Sequence, residues 1–131
     1  FAPGTCVLLA EDNELNREIV VELLSMFNIT AVCAVNGRDA VERFEADPPG
    51  TYALILMDIQ MPVMDGYTAT RKIRRLKRPD ASTIPIIAMT ANAFAEDVAA
   101  CMEAGMNAHL SKPLDMQIVQ ETIQSFTHKN A

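Results

Sequence analysis

The 131-residue sequence contains no tryptophan, only 2 tyrosines and only 3 cysteines. The cysteines Cys6, Cys33 and Cys101 form no C-x-x-C pair, so they predict neither a structural zinc site nor a disulfide scaffold and favour a reducing compartment. No apolar run approaches the ~20 residues of a membrane-spanning helix, and the first residues do not resemble a secretory signal. The glycine patterns of the common nucleotide-binding loops are also missing. Because the sequence does not begin with Met, we expect it to come from a longer chain.

The composition that is present fits one globular domain. Hydrophobic residues make up 50% and charged residues 21% of the chain, which suffices for a core in a domain of this length. The formal net charge is −6, and residues 1–70 carry 3 basic against 11 acidic side chains, whereas residues 71–131 carry 8 against 6. The first half therefore indicates an acidic site, and the charge disfavours direct nucleic-acid binding.

Short apolar runs alternate with helical patterns along the sequence. Runs that are apolar on both faces are typical of parallel strands covered above and below. The predicted strands are Cys6–Ala10, Ala31–Val35, Ala53–Met57, Ile84–Met89 and Ala108–Ser111. This alternation predicts an α/β fold with the pattern (βα)5: a single domain with a doubly wound, five-stranded parallel sheet and helices on both faces.

Apolar residues at helical spacing lie between the predicted strands. The stripes expected to face the core are Leu15, Ile19, Leu23 and Phe27; Phe94, Val98 and Met102; and Leu114, Ile118, Val119, Ile123 and Phe126. Two further helices are expected to bury Val41 and Phe44, and Tyr67 and Ile73. Asn13, Asn36 and Asp65 are suitable N-caps because their side chains can accept the free N–H groups of a first turn.

Polar residues cluster where the predicted strands end. Glu11 and Asp12 follow the first strand, Asp58 the third, Thr90 the fourth and Lys112 the fifth. Open parallel sheets bind ligands at the carboxyl ends of their strands, so we expect these side chains to share one pocket. Carboxylate oxygens suit Mg²⁺, and a lysine and a hydroxyl suit a phosphoryl group. This set predicts phosphoryl transfer to a carboxylate.

The set Glu11-Asp12, Asp58, Thr90-Ala91 and Lys112-Pro113 resembles the receiver domain of two-component response regulators. The sequences of residues 58–66 and 105–113 most resemble those of receivers in hybrid sensor histidine kinases. The resemblance implies a flavodoxin-like fold with strand order 2-1-3-4-5. It also implies a receiver domain over residues 5–128, preceded by a linker remnant at 1–4 and followed by a tail at 129–131.

The resemblance assigns a role to each residue of the pocket. Asp58 would accept the phosphoryl group from a phosphohistidine. Glu11 (largely through water), Asp12, Asp58 and the backbone carbonyl of Gln60 would hold Mg²⁺. Lys112 would pair first with Asp58 and then with the phosphoryl oxygens. The domain would thus catalyse its own phosphoryl transfer and dephosphorylation, which leaves open whether it counts as an enzyme.

A conformational switch is also implied by the resemblance. Thr90 would move to hydrogen-bond the phosphoryl group, and the side chain at position 109 would turn inward with it. Receivers most often carry Tyr or Phe at that position, whereas this sequence has His109. Because imidazole titrates near physiological pH, His109 suggests the hypothesis of a pH-sensitive switch. The resemblance further implies a cis peptide bond before Pro113.

The expected partners follow from this chemistry. A histidine kinase would supply the phosphohistidine, and a histidine phosphotransfer domain would receive the phosphoryl group in a hybrid kinase. We expect a cytoplasmic domain that makes no membrane contact of its own, even where its parent protein is a membrane-anchored sensor kinase.

Other interpretations remain open at this point. The domain could be an interaction module that works without phosphorylation. An aspartyl-phosphate phosphatase or mutase is less well supported, since that class expects a second Asp where this sequence has Gln60. Asp58 taken alone could be a helix cap. The basic run Arg71, Lys72, Arg74, Arg75, Lys77 and Arg78 is expected to form a solvated face in its helical part.

Overall fold

The computed structural model describes residues 5–91 and 95–127 of the chain. Its strands are β1 (Cys6–Ala10), β2 (Thr30–Ala34), β3 (Leu54–Asp58), β4 (Ile86–Thr90) and β5 (Ala108–Ser111). Its helices are α1 (Glu14–Ser25), α2 (Gly37–Ala46), α3 (Gly66–Arg74), α4 (Ala95–Ala104) and α5 (Met116–Thr127). None of these helices combines the length and the apolar character needed to cross a lipid bilayer.

The five strands form one parallel sheet in the order β2-β1-β3-β4-β5. Helices α1 and α5 pack on one face of the sheet, and α2, α3 and α4 pack on the other. The predicted doubly wound α/β fold is therefore confirmed, together with the strand order that the resemblance implies. The order reverses between β1 and β3, which places a crevice at their carboxyl ends.

The predicted strand ends are right to within two residues. Strands β1 and β5 have the predicted bounds, whereas β2 and β3 are shifted by one residue. The shift in β3 makes Asp58 its last residue rather than the residue after it. Strand β4 begins at Ile86 instead of Ile84, consistent with Pro85, which has no N–H to donate to a neighbouring strand.

The predicted N-caps are confirmed. The side chains of Asn13, Asn36 and Asp65 each accept the backbone N–H three residues further on, at 2.9, 2.7 and 2.8 Å. Each cap follows a strand end by two to seven residues, so it starts the next helix close to the carboxyl edge of the sheet.

The apolar stripe predicted for α1 is wrong at two positions. Leu15 and Ile19 are 64% and 52% exposed, whereas Val20, Leu23 and Leu24 are buried against the sheet. Helix α1 carries apolar residues on two faces, and their spacing alone does not show which face meets the sheet. The second apolar face, which carries Leu15 and Ile19, is exposed near the carboxyl edge of the sheet.

Smaller corrections apply to α4 and α5. Met102 and Ile118, both predicted to face the core, are exposed. The core-facing residue of α4 near Met102 is Cys101, and α5 buries Val119 and Ile123 as predicted. The true buried faces thus lie about one residue away from part of the predicted stripes.

The helical part of the basic run, which consists of Arg71, Lys72 and Arg74, is not solvated throughout as predicted. The exposed members of the whole run are Arg71, Lys72, Arg75 and Lys77. Arg74 is half-buried and donates to backbone carbonyls. Arg78 pairs with Asp80, with Nε 2.6 Å from Oδ1, and its guanidinium lies 4.2 Å from the ring centre of Phe44. These two arginines are therefore part of the structural framework.

Several predictions fall outside the described residues. These are the linker at 1–4, the tail at 129–131, the side chain of Phe94 in the α4 stripe, and the domain boundary at His128.

Candidate functional site

The carboxyl edge of the sheet contains a cleft of about 270 Å³. Every pocket residue predicted from the strand ends contributes to it. Its lining residues include Glu11, Asp12, Asp58, Gln60, Thr90 and Lys112 from the predicted set, and Asn13, Asn16, Ile59, Tyr67 and Ala91 in addition. The sheet therefore brings together side chains from four strand ends, as the sequence predicts.

Asp58 and Glu11 are buried carboxylates that share one cation. The Nζ atom of Lys112 lies 3.1 Å from Oδ2 of Asp58 and 3.3 Å from Oε2 of Glu11. Glu11 is only 1% exposed, so its charge is almost fully removed from water. The Lys112–Pro113 peptide bond is cis, which agrees with the resemblance. Buried charges of this kind require partners, and Lys112 supplies one for both.

Glu11 is further held by two residues of α1 that sequence reasoning missed. The Nδ2 atom of Asn16 donates to Oε1 of Glu11 at 2.9 Å. The Nη1 atom of Arg17 donates to the backbone carbonyls of Glu11 and Asp12, at 2.9 and 3.0 Å. Both residues lie in the first turn of α1, which folds back over the end of β1. That position after an N-cap is the signal that points to them.

The two carboxylates alter the ionisation of each other. Burial raises the pKa of Asp58, and contact with Glu11 raises it further, to about 7, although Lys112 opposes the change. Burial also opposes the charged form of Glu11, but hydrogen bonds with Asp58, Asn16 and Lys112 outweigh it and lower its pKa. For Lys112, burial disfavours the ammonium, and the two carboxylates outweigh it and raise the pKa. Both carboxylates therefore stay ionised near neutral pH only when more positive charge is added.

Three carboxylates of the cleft are arranged as metal ligands can be. One oxygen each from Glu11, Asp12 and Asp58 lies within 4.8 Å of the others. Mg²⁺ holds oxygen ligands at ~2.0–2.1 Å, so oxygens on opposite sides of the ion are about 4 Å apart. The set thus fits Mg²⁺ after a small movement of the exposed Asp12 or through an intervening water. Together with Lys112 the three carboxylates leave a negative charge that a divalent cation balances.

The loop between β3 and α3 closes tightly over the end of β3. The N–H of Gly66 donates to the carbonyl of Ile59 at 2.9 Å. A Cβ atom on Gly66 would lie 2.3 Å from the carbonyl oxygen of Asp58, so only glycine fits here. Gly37 meets the same loop, since a Cβ there would lie 2.3 Å from the carbonyl oxygen of Met64. The backbone around Asp58 is consequently fixed from two sides.

A strained turn lies at the tip of this loop. Val63 has φ 70°, and the N–H of Met64 donates to the carbonyl of Pro62 at 2.7 Å across it, which defines a γ-turn. A β-branched residue with positive φ is rare because its side chain crowds the backbone. The turn therefore stores strain close to the cleft.

The two residues assigned to the switch occupy different places. Thr90 is buried at the end of β4, lines the cleft, and its carbonyl accepts the N–H of Lys112 at 2.8 Å. His109 is half-buried in β5 opposite Ala88, outside the set of described residues that line the cleft. Since Leu110 packs on the α1 and α5 side, strand alternation points His109 toward the other face.

Comparison with known proteins identifies what the chain resembles. The sequence profile of the response regulator receiver domain matches residues 7–124. The peroxide stress-activated histidine kinase mak1 of Schizosaccharomyces pombe is 38% identical, over 96% of this chain and 8% of that protein. The hybrid signal transduction protein dokA of Dictyostelium discoideum is 40% identical, over 95% of this chain and 7% of that protein. The chain spans less than a tenth of the length of these relatives.

Solved structures of receiver domains are also similar to this chain. The receiver domain of the sensor histidine kinase PA1611 of Pseudomonas aeruginosa is 36% identical, with a TM-score of 0.86 over 97% of this chain and 99% of that chain. That structure contains a magnesium ion coordinated in the active site cleft. A co-crystal structure of the Saccharomyces cerevisiae histidine phosphotransfer protein Ypd1 with the receiver domain of Ssk1 matches with 28% identity and a TM-score of 0.86. The match covers 100% of this chain and 94% of that chain.

Proposed function

Because the chain belongs to the response regulator receiver family, we propose that it is a phosphorylation switch in which Asp58 is the acceptor. One observation carries the assignment: the carboxylate of Asp58 ends the central strand β3 inside the cleft, with the ammonium of Lys112 at 3.1 Å. Three groups therefore meet in the cleft. They are the carboxylate of Asp58 as the nucleophile, the ammonium of Lys112 as a cation for the phosphoryl oxygens, and the hydroxyl of Thr90 as a hydrogen-bond donor. Positioning and charge neutralisation are what phosphoryl transfer requires of a protein.

In the transfer step, a carboxylate oxygen of Asp58 forms a bond to phosphorus. The bond between phosphorus and the donor imidazole nitrogen breaks, and that nitrogen keeps the electron pair. Lys112 faces the phosphoryl oxygens as the negative charge on Asp58 is used in the new bond. Thr90 donates its hydroxyl proton as a hydrogen bond to one of those oxygens.

The donor set supports Mg²⁺ as part of this function. Glu11, Asp12 and Asp58 would hold it together with the backbone carbonyl of Gln60, which lines the same cleft. When bound, the ion supplies positive charge that offsets the carboxylates and the incoming phosphoryl group. Asn16 and Lys112 keep Glu11 oriented while it does so.

The partners in this proposal are proteins that carry a phosphohistidine. The relatives named above include histidine kinases, and a receiver of similar structure binds the phosphotransfer protein Ypd1. An apolar patch made of Leu15, Ile19, Pro113 and Leu114 offers such a partner a contact beside Asp58. Ile19, Pro113 and Leu114 line a second, apolar cavity of about 170 Å³ that shares Lys112 with the acidic cleft. We place the exchange in the cytoplasm, where the thiols of the three cysteines stay reduced.

The switch belongs to the same proposal. Thr90 would move toward the phosphoryl group on Asp58, and His109 would follow on the neighbouring strand. The two are connected because β4 and β5 pair directly, with Ala88 opposite His109 and Thr90 opposite Ser111. A movement of Thr90 would thereby be transmitted through β5 to the face of the sheet that α4 covers.

The test is labelling with acetyl phosphate, read by intact mass, with and without Mg²⁺. The wild-type chain should gain one phosphoryl mass only with Mg²⁺, and Asp58→Asn should gain none. Asp115→Asn is the matched control, since Asp115 is exposed and caps α5 with hydrogen bonds that Asn retains. Absence of labelling in folded wild-type chain that binds Mg²⁺ would instead support an interaction module that works without phosphorylation.

A further inference from the structure

The guanidinium of Arg74, at the end of α3, uses every one of its five N–H donors. Nε and Nη2 donate to the carbonyl of Gly105 at 3.0 and 2.8 Å. Nη1 donates to the carbonyls of Ala81 and Ile84 at 3.1 and 2.7 Å. Nη2 also donates to Oδ1 of Asn107 at 2.8 Å. A fully used, half-buried guanidinium is a specific, rigid connection that a lysine cannot reproduce.

The acceptors of Arg74 belong to the two segments that lead into β4 and β5. Ala81 and Ile84 precede β4, whereas Gly105 and Asn107 connect α4 to β5. Asn107 adds two further bonds, because its Oδ1 accepts the N–H of Ile86 at 2.9 Å and its own N–H donates to the carbonyl of Ile86 at 2.8 Å. We call Arg74 and Asn107, with these bonds, the polar hub.

Strands β4 and β5 run from the polar hub to the functional cleft. Each is only four or five residues long, so about 13–17 Å separate its two ends. At the far end their alignment is fixed by the N–H of Lys112, which donates to the carbonyl of Thr90 at 2.8 Å. A change of register at the hub must therefore appear at Thr90 and Lys112, because short paired strands move as units.

We propose that Arg74 is a positioning residue for phosphoryl transfer, which fixes the register of β5 on β4 and thereby holds Lys112 at Asp58. This inference rests on the proposed function of the cleft. Arg74 touches neither the phosphoryl group nor Asp58; it acts through Asn107 and the two strands.

The position of the hub predicts different effects on the rate of phosphoryl transfer and on Mg²⁺ affinity. A general loss of structure would lower both together. The carboxylates assigned to Mg²⁺ come from the ends of β1 and β3, namely Glu11, Asp12 and Asp58. Lys112 and Thr90 come from the ends of β5 and β4, which the hub aligns. Loss of Arg74 is therefore expected to slow phosphoryl transfer without weakening Mg²⁺ binding, which should stay the same or tighten as Lys112 moves away from the carboxylates.

The experiment compares Arg74→Met and Arg74→Lys with Arg75→Met in the 131-residue chain. Arg75 is the exposed neighbour, so its replacement removes the same charge without touching the hub. Two quantities are measured at a temperature where all variants are folded: the labelling rate with acetyl phosphate at saturating Mg²⁺, and the Mg²⁺ dissociation constant by calorimetry. We expect Arg74→Met to label about ten- to a hundredfold more slowly, as small misplacements of reacting groups do. Arg74→Lys should be intermediate and Arg75→Met unchanged, and none of the three should bind Mg²⁺ more weakly than wild type.

A second readout does not depend on phosphorylation. Amide hydrogen exchange at Lys112, whose N–H is bonded to Thr90, should accelerate in Arg74→Met and not in Arg75→Met. If Arg74→Met does not fold, Asn107→Ala tests the other half of the hub with the same two measurements.

Two results would overturn the inference. One is a labelling rate and a Lys112 exchange rate in Arg74→Met equal to wild type. The other is an equal loss of labelling and Mg²⁺ affinity, which indicates general damage rather than positioning. Failure of the proposed function looks different, because wild-type chain itself would then remain unlabelled.

Discussion

The Nζ atom of Lys112 lies 3.1 Å from Oδ2 of Asp58, although β4 separates the strands that carry them. Lys112 therefore reaches across the end of β4. Thr90 ends that strand, so its backbone lies between the backbones of Asp58 and Lys112 in the order of the strands. The arrangement places one cation where it would serve first Asp58, the proposed acceptor, and then the phosphoryl group.

Replacing Lys112 should separate metal binding from phosphoryl transfer. In Lys112→Met the cleft loses a positive charge that lies within 3.3 Å of two carboxylates, so we expect Mg²⁺ to bind about tenfold more tightly. Acetyl phosphate labelling should nevertheless fall by about 10²–10³, because a charge aimed at the phosphoryl oxygens is lost. Calorimetry and intact mass measure the two effects, with Lys77→Met as the exposed control. Weaker Mg²⁺ binding in Lys112→Met would contradict the electrostatic argument.

Truncating the exposed face of α1 should weaken transfer from a protein donor only. Leu15→Ala combined with Ile19→Ala removes exposed apolar surface beside the cleft without entering the core. With phosphorylated Ypd1 as the test donor, we expect the transfer rate to fall about tenfold or more, while acetyl phosphate labelling stays at the wild-type level. Met26→Ala, at the other end of the helix and also exposed, should leave both rates unchanged. An equal drop with both donors would show that the patch acts through the cleft rather than on the partner.

The strain at Val63 predicts a stabilising substitution. Val63 is exposed and has φ 70°, a conformation that Asn adopts more readily than a β-branched residue. Val63→Asn should raise the free energy of unfolding by about 1 kcal/mol, measured by denaturant titration. The exposed Val35, at the end of β2 and without positive φ, provides the control, and Val35→Asn should bring no gain. A loss of stability in Val63→Asn would argue against strain at this turn.

The pair of Arg78 and Asp80 predicts a pH-dependent contribution to stability. The hydrogen bond from Arg78 lowers the pKa of Asp80, more strongly than partial burial raises it. A carboxyl whose pKa is lower in the folded state stabilises that state above its unfolded pKa of ~3.9 and loses the effect as pH falls further. Asp80→Asn should therefore cost about 1–3 kcal/mol at pH 7, and the cost should shrink steadily as the pH falls below ~3.9.

The exposed pair of Arg38 and Glu42 supplies the comparison for that experiment. Glu42→Gln breaks an ion pair whose side chains are both mostly in water, and such pairs contribute less than about 1 kcal/mol. If Asp80→Asn costs no more than Glu42→Gln at pH 7, the partly buried position of Asp80 has no energetic consequence.

The sequence predicts the sheet and the members of the cleft well because both depend on local patterns. A strand covered on both faces is a short apolar run, and the residue after it lies at the carboxyl edge; this is how Asp58, Thr90 and Lys112 could be found. The helices are harder because α1 is apolar on two sides. Leu15 and Ile19 have helical spacing, yet nothing local shows that the face with Val20 meets the sheet.

Arg74 and Arg78 illustrate a second limit. Six basic residues in a short run are usually solvated, and four of them are. Most acceptors of Arg74 are backbone carbonyls of segments distant in sequence, such as Gly105. Every residue has a backbone carbonyl, so the sequence does not show which of them accepts a hydrogen bond. Asn16 and Arg17 were missed for a different reason: their contacts with the Glu11 side chain and with the carbonyls of Glu11 and Asp12 form only after α1 has folded back over β1.

Strand β3 has hydrogen-bonded neighbours on both sides, whereas β5 pairs only with β4 among the described residues. Asp58 is thus attached to the part of the sheet that opens last, and Lys112 to a margin that opens at a lower free energy. A covalent change at the centre can keep its geometry while the margin rearranges around it. Under mechanical or thermal stress the chain should therefore lose Lys112 from the cleft, and with it efficient transfer, before it loses the arrangement of Glu11, Asp12 and Asp58.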